Sequence, residues 1–126
     1  MPYRYSIRKE KRLVVSTGSG VVTFAELKAH SDRLAKDPDF NPEFDQLVDA
    51  TAMAELKVSV AEAATLARTN IFSPASRRAF VAPRPGAFGM MRLWGTHHEF
   101  GQEPSEVAFF YDLPSARAWL GIDGAD

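Results

Sequence analysis

"FDQLVDATAMAELKVSVAEAATLA", residues Phe44–Ala67, sets the reading of this chain: an apolar run gives way to a helical pattern. "DQLVDAT" has the length and composition of a short buried strand. After Ser59 the period changes. On a helical wheel Val60, Ala63, Ala64, Ala67 and Ile71 share one face, with Glu62, Thr65 and Thr69 opposite. Small residues on that face let the helix sit close to its neighbours. Ser59 and Glu62 fit S-x-x-E, a capping box at the helix start. "SPASRR" ends the helix, and a strand followed by a helix is the repeating unit of an α/β fold.

Outward from this unit the pattern repeats. Upstream, Tyr3, Tyr5 and Ile7 alternate with polar residues, Lys9–Lys11 form a polar break, and "RLVVSTG" reads as a second strand, giving a hairpin. "GSG" (Gly18–Gly20) then turns the chain. "TFAELKAHSDRLAKD" is the first helix, with Thr23 and Glu26 as capping box. Its core stripe is Phe24, Leu27 and Leu34, interrupted by Ser31. "DPDFNPEF" breaks it with two prolines. Downstream, "RAFVAP" is a strand stopped by Pro83 and Pro85, "GAFGMMRLWGTHHEF" a third helix and "EVAFFYD" the last strand. "DLPSARAWLG" is a last helix with Asp112 as cap, Pro114 in the first turn and Gly121 as stop. The order predicts an N-terminal hairpin followed by alternating helices and strands, in a mixed, mostly parallel five-stranded sheet. One domain spans 1–126.

With 126 residues, the chain is long enough to bury a core without staples. It has no cysteine, which removes disulfides, thiolate metal sites and a Cys nucleophile. No apolar run approaches the roughly 20 residues of a membrane span. The start "MPYRYSIRKEKR" lacks an apolar signal core, so a cytoplasmic protein is expected. The net charge of −1 argues against a nucleic-acid binder. Charge is nonetheless segregated: residues 1–12 carry five basic groups against Glu10, and Arg68–Arg92 carries five arginines and no acid.

"FDQLVDAT", "FSPASRRAFVAP" and "FYDLPSARAWLG", set in this order of elements, resemble the STAS domain of sulfate-transporter tails and anti-sigma-factor antagonists. Specifically, the chain resembles the small stand-alone bacterial proteins, SpoIIAA-like in fold, that are grouped between STAS domains and the CRAL-TRIO lipid carriers. The resemblance implies a non-enzymatic binding or regulatory module that contacts a protein partner or itself. It also implies an alternative, a lipid or other apolar ligand or a membrane surface. In the antagonists, a serine of an Asp-Ser-Ser-Gly turn is phosphorylated. Counting from Asp49, that turn falls on Lys57, Val58, Ser59 and Val60, of which only Ser59 matches. The expectation is that Ser59 caps its helix and the usual switch is lost.

Other candidates weigh less. "GSGVVT" lacks the third glycine of a dinucleotide loop. His97 and His98 diverge on a helix, His30 is isolated, and no metal or other cofactor is expected. Asp49, placed at a strand end, either bonds the following amides or, with a histidine, would anchor an enzyme for which no catalytic constellation is legible. Arg77, Arg78 and Arg84 are candidates for an acidic side chain or headgroup. The third helix is the most unusual feature. Its apolar groups sweep about 240° of the wheel, more than the stripe a surface helix needs. Phe88, Met91 and Trp94 are therefore the expected ligand or partner contacts, with Arg84 and Arg92 beside them.

Overall fold

A computed structural model of the chain describes residues 2–82 and 106–122. Strand β1 (Tyr3–Arg8) and strand β2 (Leu13–Thr23) form the expected antiparallel hairpin. They are joined by a 3-10 turn at Lys9–Lys11 and by Arg12 in the left-handed region at φ 51°. Helix α1 (Phe24–Lys36) leads to β3 (Asp45–Lys57) and α2 (Val60–Arg68) to β4 (Arg77–Val81); β5 (Glu106–Phe110) precedes α3 (Leu113–Leu120). The sheet order is β1-β2-β3-β4-β5, parallel from β2 onward. The third helix expected over Gly86–Phe100 lies outside the described residues.

Strand alternation sends successive side chains to opposite faces. On one face Leu13, Leu47, Ala79 and Val81 pack against Ala116 and Leu120 of α3, forming a dry cluster. The other face is covered by α1 and α2. There Val14, Leu34, Phe44 and Phe72 close one end, while Val22, Val48, Met53 and Phe80 fill the rest.

The helix ends form as local chemistry requires. Thr23 and Ser59 both make complete capping boxes, with Glu26 and Glu62. Asp112 accepts the Ser115 N–H at 2.8 Å, and Gly121 ends α3 at φ 74°, where a side chain would be strained.

Two strands run further than their local pattern suggests. β2 does not turn at "GSG" but passes through it to Thr23, with register shifts at Thr17/Ser19 and Gly20/Val21 and with Gly20 at φ 61°. β3 does not stop at Thr51 but pairs with β2 as far as Lys57. Each extension depends on the other, since these outer halves pair strand to strand and neither has a local signal. α2 is shorter than expected. It ends at Arg68, so Ile71 lies beyond it, and Val60 is 57% exposed rather than on the buried face. Ala63 and Ala67 alone on this helix are fully buried.

Because the Ser59 hydroxyl accepts the Glu62 N–H at 3.1 Å and Glu62 returns to the Ser59 N–H at 2.9 Å, its role is testable. Ser59→Ala is expected to lower unfolding free energy by about 1 kcal/mol, and Ser59→Asp, also a good cap, to leave it nearly unchanged. Chemical denaturation of the three proteins checks this; equal stability of all three contradicts the cap.

Candidate functional site

The face beneath α1 and α2 is not uniformly apolar. Ser16 on β2, Gln46 on β3 and Arg78 on β4 all point there, and all are buried. Gln46 stands directly opposite Arg78 in the parallel register. His30 reaches the same row from α1 and is 3% exposed. It occupies the stripe of Leu27 and Leu34, one position before the Ser31 expected there.

These groups satisfy one another. Ser16 Oγ lies 2.9 Å from His30 Nε2 and accepts a hydrogen bond from Gln46 Nε2 at 2.9 Å. Gln46 Oε1 accepts from Arg78 Nε at 3.0 Å and Nη2 at 2.8 Å. Arg78 Nη1 donates to Asn70 Oδ1 at 2.9 Å. The guanidinium also lies over aromatic rings, its carbon 4.5 Å from the centre of Phe72 and 5.5 Å from that of Phe80. Tyr3 covers His30 at 4.3 Å between ring centres, and Tyr5 meets it edge-on at 5.4 Å. Gly18 lies close beside, where a Cβ would displace the flexible end of Met53 and touch Tyr3.

Burial governs protonation in the row. His30 is held down to about 4 by desolvation and by the charges of Arg33 and Arg78, so its ring is neutral near pH 7. Tyr3 is pushed up to about 12 by burial. Burial also lowers the Arg78 guanidinium to about 9, which leaves it cationic at neutral pH.

Above this row lies a cavity of about 100 Å³ between α1, α2 and the sheet. Val48, Met53, Phe80 and Val58 form apolar walls, and Gln46, Arg78, His30 and Asn70 a polar end. Half-buried Leu27, Leu56 and Leu66 also line it. Ser16 is fully buried and is not part of the lining, and a histidine held near 4 is a weak base. The pair therefore supports the cavity floor.

The other sequence candidates separate. Arg77 points to the opposite face, where its guanidinium stacks on Trp119 at 4.3 Å and donates to the Trp119 carbonyl. Asp49 is not at a strand end but within β3, and its Oδ1 accepts from the Thr51 N–H at 3.0 Å and hydroxyl at 2.6 Å. Ser59 is exposed and engaged as a cap. Phe88, Met91, Trp94, Arg84 and Arg92, with His97 and His98, lie outside the described residues. Ser16, Gln46 and Asn70 were not anticipated. For Ser16 and Gln46 the available signal was a polar side chain at the same alternation phase as Arg78 in strands with apolar residues on both faces; Asn70, in the loop after α2, had none.

Fold and cavity together define a SpoIIAA-like α/β domain with a pocket between its first two helices and the sheet. The comparison that establishes the fold is with a crystal structure from Shewanella loihica PV-4, an uncharacterized protein of the DUF3478 family with a SpoIIAA-like fold. It is similar over 94% of this chain and 91% of that one, with TM-score 0.58 and 19% identity. No family model and no curated protein matches the chain. Among the described residues no helix is long and apolar enough to cross a membrane.

A pH dependence follows from His30. Since the folded chain holds it below 6.5, the unfolded chain protonates first as pH falls. Its stabilising contribution is complete above about pH 6.5 and is lost down to about pH 4, a span worth roughly 3 kcal/mol. Asp37 and Asp112, both held below 3.8 chiefly by backbone hydrogen bonds, lose their contributions at still lower pH. Melting temperature is expected to fall between pH 6.5 and 4, and His30→Gln to flatten that slope while lowering stability at neutral pH. A slope unchanged in the variant contradicts the assignment.

Proposed function

We propose that this chain is a non-enzymatic binding module whose ligand is a small, largely apolar molecule held between α1, α2 and the sheet. The observation that carries this reading is the cavity itself, with apolar walls and a set of buried, mutually bonded polar groups at one end. Small-molecule sites commonly have this composition, mostly hydrophobic with a few placed polar groups. A core built only for stability gains more from filling such a space. The polar row is a fixed floor rather than a reactive one, which supports holding over turnover. On this reading the apolar-ligand role belongs to α1 and α2, whereas the sequence pointed to the third helix, which lies outside the described residues.

A protein-contact role is the second reading. Val21 at 43%, Val60 at 57% and Tyr111 at 63% exposure sit at the end of β2, the start of α2 and the end of β5. Tyr111 follows β5 level with the middle of β3, and Val21 and Val60 lie further along, at the carboxyl pole of the paired β2 and β3. The exposed Ser59 cap lies at that pole too, in a form that needs no phosphate to do its structural work.

The cavity reading is tested by thermal unfolding with 1-hexanol, which should raise the melting temperature by several degrees. Saturation at a hundred times the dissociation constant adds about 2.7 kcal/mol. Leu66→Trp, which narrows the cavity from a half-buried position, is expected to keep the fold by circular dichroism and to abolish the shift. A shift that survives the substitution places the binding elsewhere.

A further inference from the structure

We infer that the cavity's ligand carries one uncharged oxygen, a hydroxyl or a carbonyl, received by Ser31 on α1 while the hydrocarbon lies against Val48, Met53, Leu56 and Phe80. The inference rests on the binding role proposed above and names the ligand's polar group and its receiver.

One face of α1 lines the cavity. It carries Leu27, His30, Ser31 and Leu34, at the spacing i, i+3, i+4 and i+7. Leu34 is fully buried, and Leu27 and Ser31 are half-buried. His30 is engaged, through Nε2 with Ser16 and through its ring with Tyr3 and Tyr5. The other hydroxyls of the lining are engaged as well. Thr69 Oγ1 donates to the Thr65 carbonyl at 2.9 Å, and the Tyr3 hydroxyl has Ser16 beside it. Ser31 differs from these. Its hydroxyl has no hydrogen-bond partner among the described residues, and it does not bond back to its own helix as Thr65 does to the Ala61 carbonyl.

That hydroxyl gives the fold nothing that an alanine would not supply. Alanine is the better helix former and brings no polar atom to desolvate. A hydrocarbon laid over Ser31 would strip its water and leave it unbonded, at a cost comparable to a lost hydrogen bond. An oxygen on the ligand removes that cost. A serine hydroxyl both donates and accepts, so it serves a ligand hydroxyl as well as a carbonyl.

The oxygen is uncharged because an ion would find no partner ready for it. No acid is among the described residues of the lining, so a cation meets no counter-charge. Arg78 is committed, with Nε and Nη2 donating to Gln46 and Nη1 to Asn70, beneath the rings of Phe72 and Phe80. His30 and Tyr3 are neutral near pH 7. An ion taken into such a space is costly unless it is paired.

Size limits the hydrocarbon. The cavity's 100 Å³ is smaller than the engineered cavity of about 150 Å³ that holds benzene. A body of a few carbons fits inside, and a longer tail would pass out beside half-buried Leu27 and Leu66.

The test measures 1-hexanol, 1-chloropentane, hexanoate and hexylamine on the full chain at pH 7, by calorimetric titration and thermal unfolding. 1-Chloropentane has a similar length and no oxygen. The ratio of 1-hexanol to 1-chloropentane affinity is expected to be roughly three- to tenfold higher in the wild-type protein than in Ser31→Ala, the worth of one neutral hydrogen bond. 1-Chloropentane should bind both proteins alike, Ser31→Thr should recover the wild-type ratio, and the two ions should bind weakest. Should Ser31→Ala fail to fold by circular dichroism, Ser31→Cys replaces it, with a weakly bonding thiol in nearly the same shape. An unchanged ratio in the folded variant removes Ser31 as the receiver and leaves the apolar cavity standing. Tighter binding of hexanoate or hexylamine than of 1-hexanol overturns the uncharged oxygen. Binding of none of the four overturns both this inference and the cavity reading.

Discussion

The structure depends on one hydrogen-bonded row, His30–Ser16–Gln46–Arg78–Asn70, laid across the inner face of the sheet. A buried polar group left unsatisfied costs on the order of 1–3 kcal/mol, so the members of the row constrain one another's positions. Gln46 can serve Ser16 and Arg78 together only if β2, β3 and β4 keep their present register. A one-residue slip would turn Gln46 or Arg78 to the opposite face, among Leu13, Leu47 and Ala79. The row also ties α1 to the sheet through His30, in a position where leucine would normally do that work.

The two faces consequently have different characters. Beneath α3 the packing is dry, and Arg77 there lies over the Trp119 ring and bonds its carbonyl. Beneath α1 and α2 the polar row cannot be covered by a close-packed apolar layer. The small residues of α2, Ala63 and Ala67, let its backbone approach but fill little volume. The remaining space is the cavity. The face that carries the polar row is thus also the face that leaves a cavity, and Arg78 belongs to both.

The helix that follows β3 is present, and its leading serine is in place. Its environment is that of a completed cap, with both hydrogen bonds of the box made by Glu62. The fold is shared with the Shewanella loihica protein, whereas the buried row is read from this chain's own side chains.

By itself the sequence determined every feature that rests on neighbours within a few residues. The capping boxes at Thr23 and Ser59, the Asp112 cap, the Gly121 stop, the hairpin break at Lys9–Lys11 and the alternation of strands and helices all follow from local geometry. Tertiary structure alone decided what depends on partners far along the chain. The extension of β3 to Lys57 and the passage of β2 through Gly18–Gly20 come from pairing between residues more than 30 apart. His30 appeared isolated because its partners, Ser16 and through it Gln46 and Arg78, are brought together by sheet register rather than by spacing. Local patterns show which face of an element is apolar. They cannot show which polar side chains from different strands will meet on it, because that depends on a register no single segment contains.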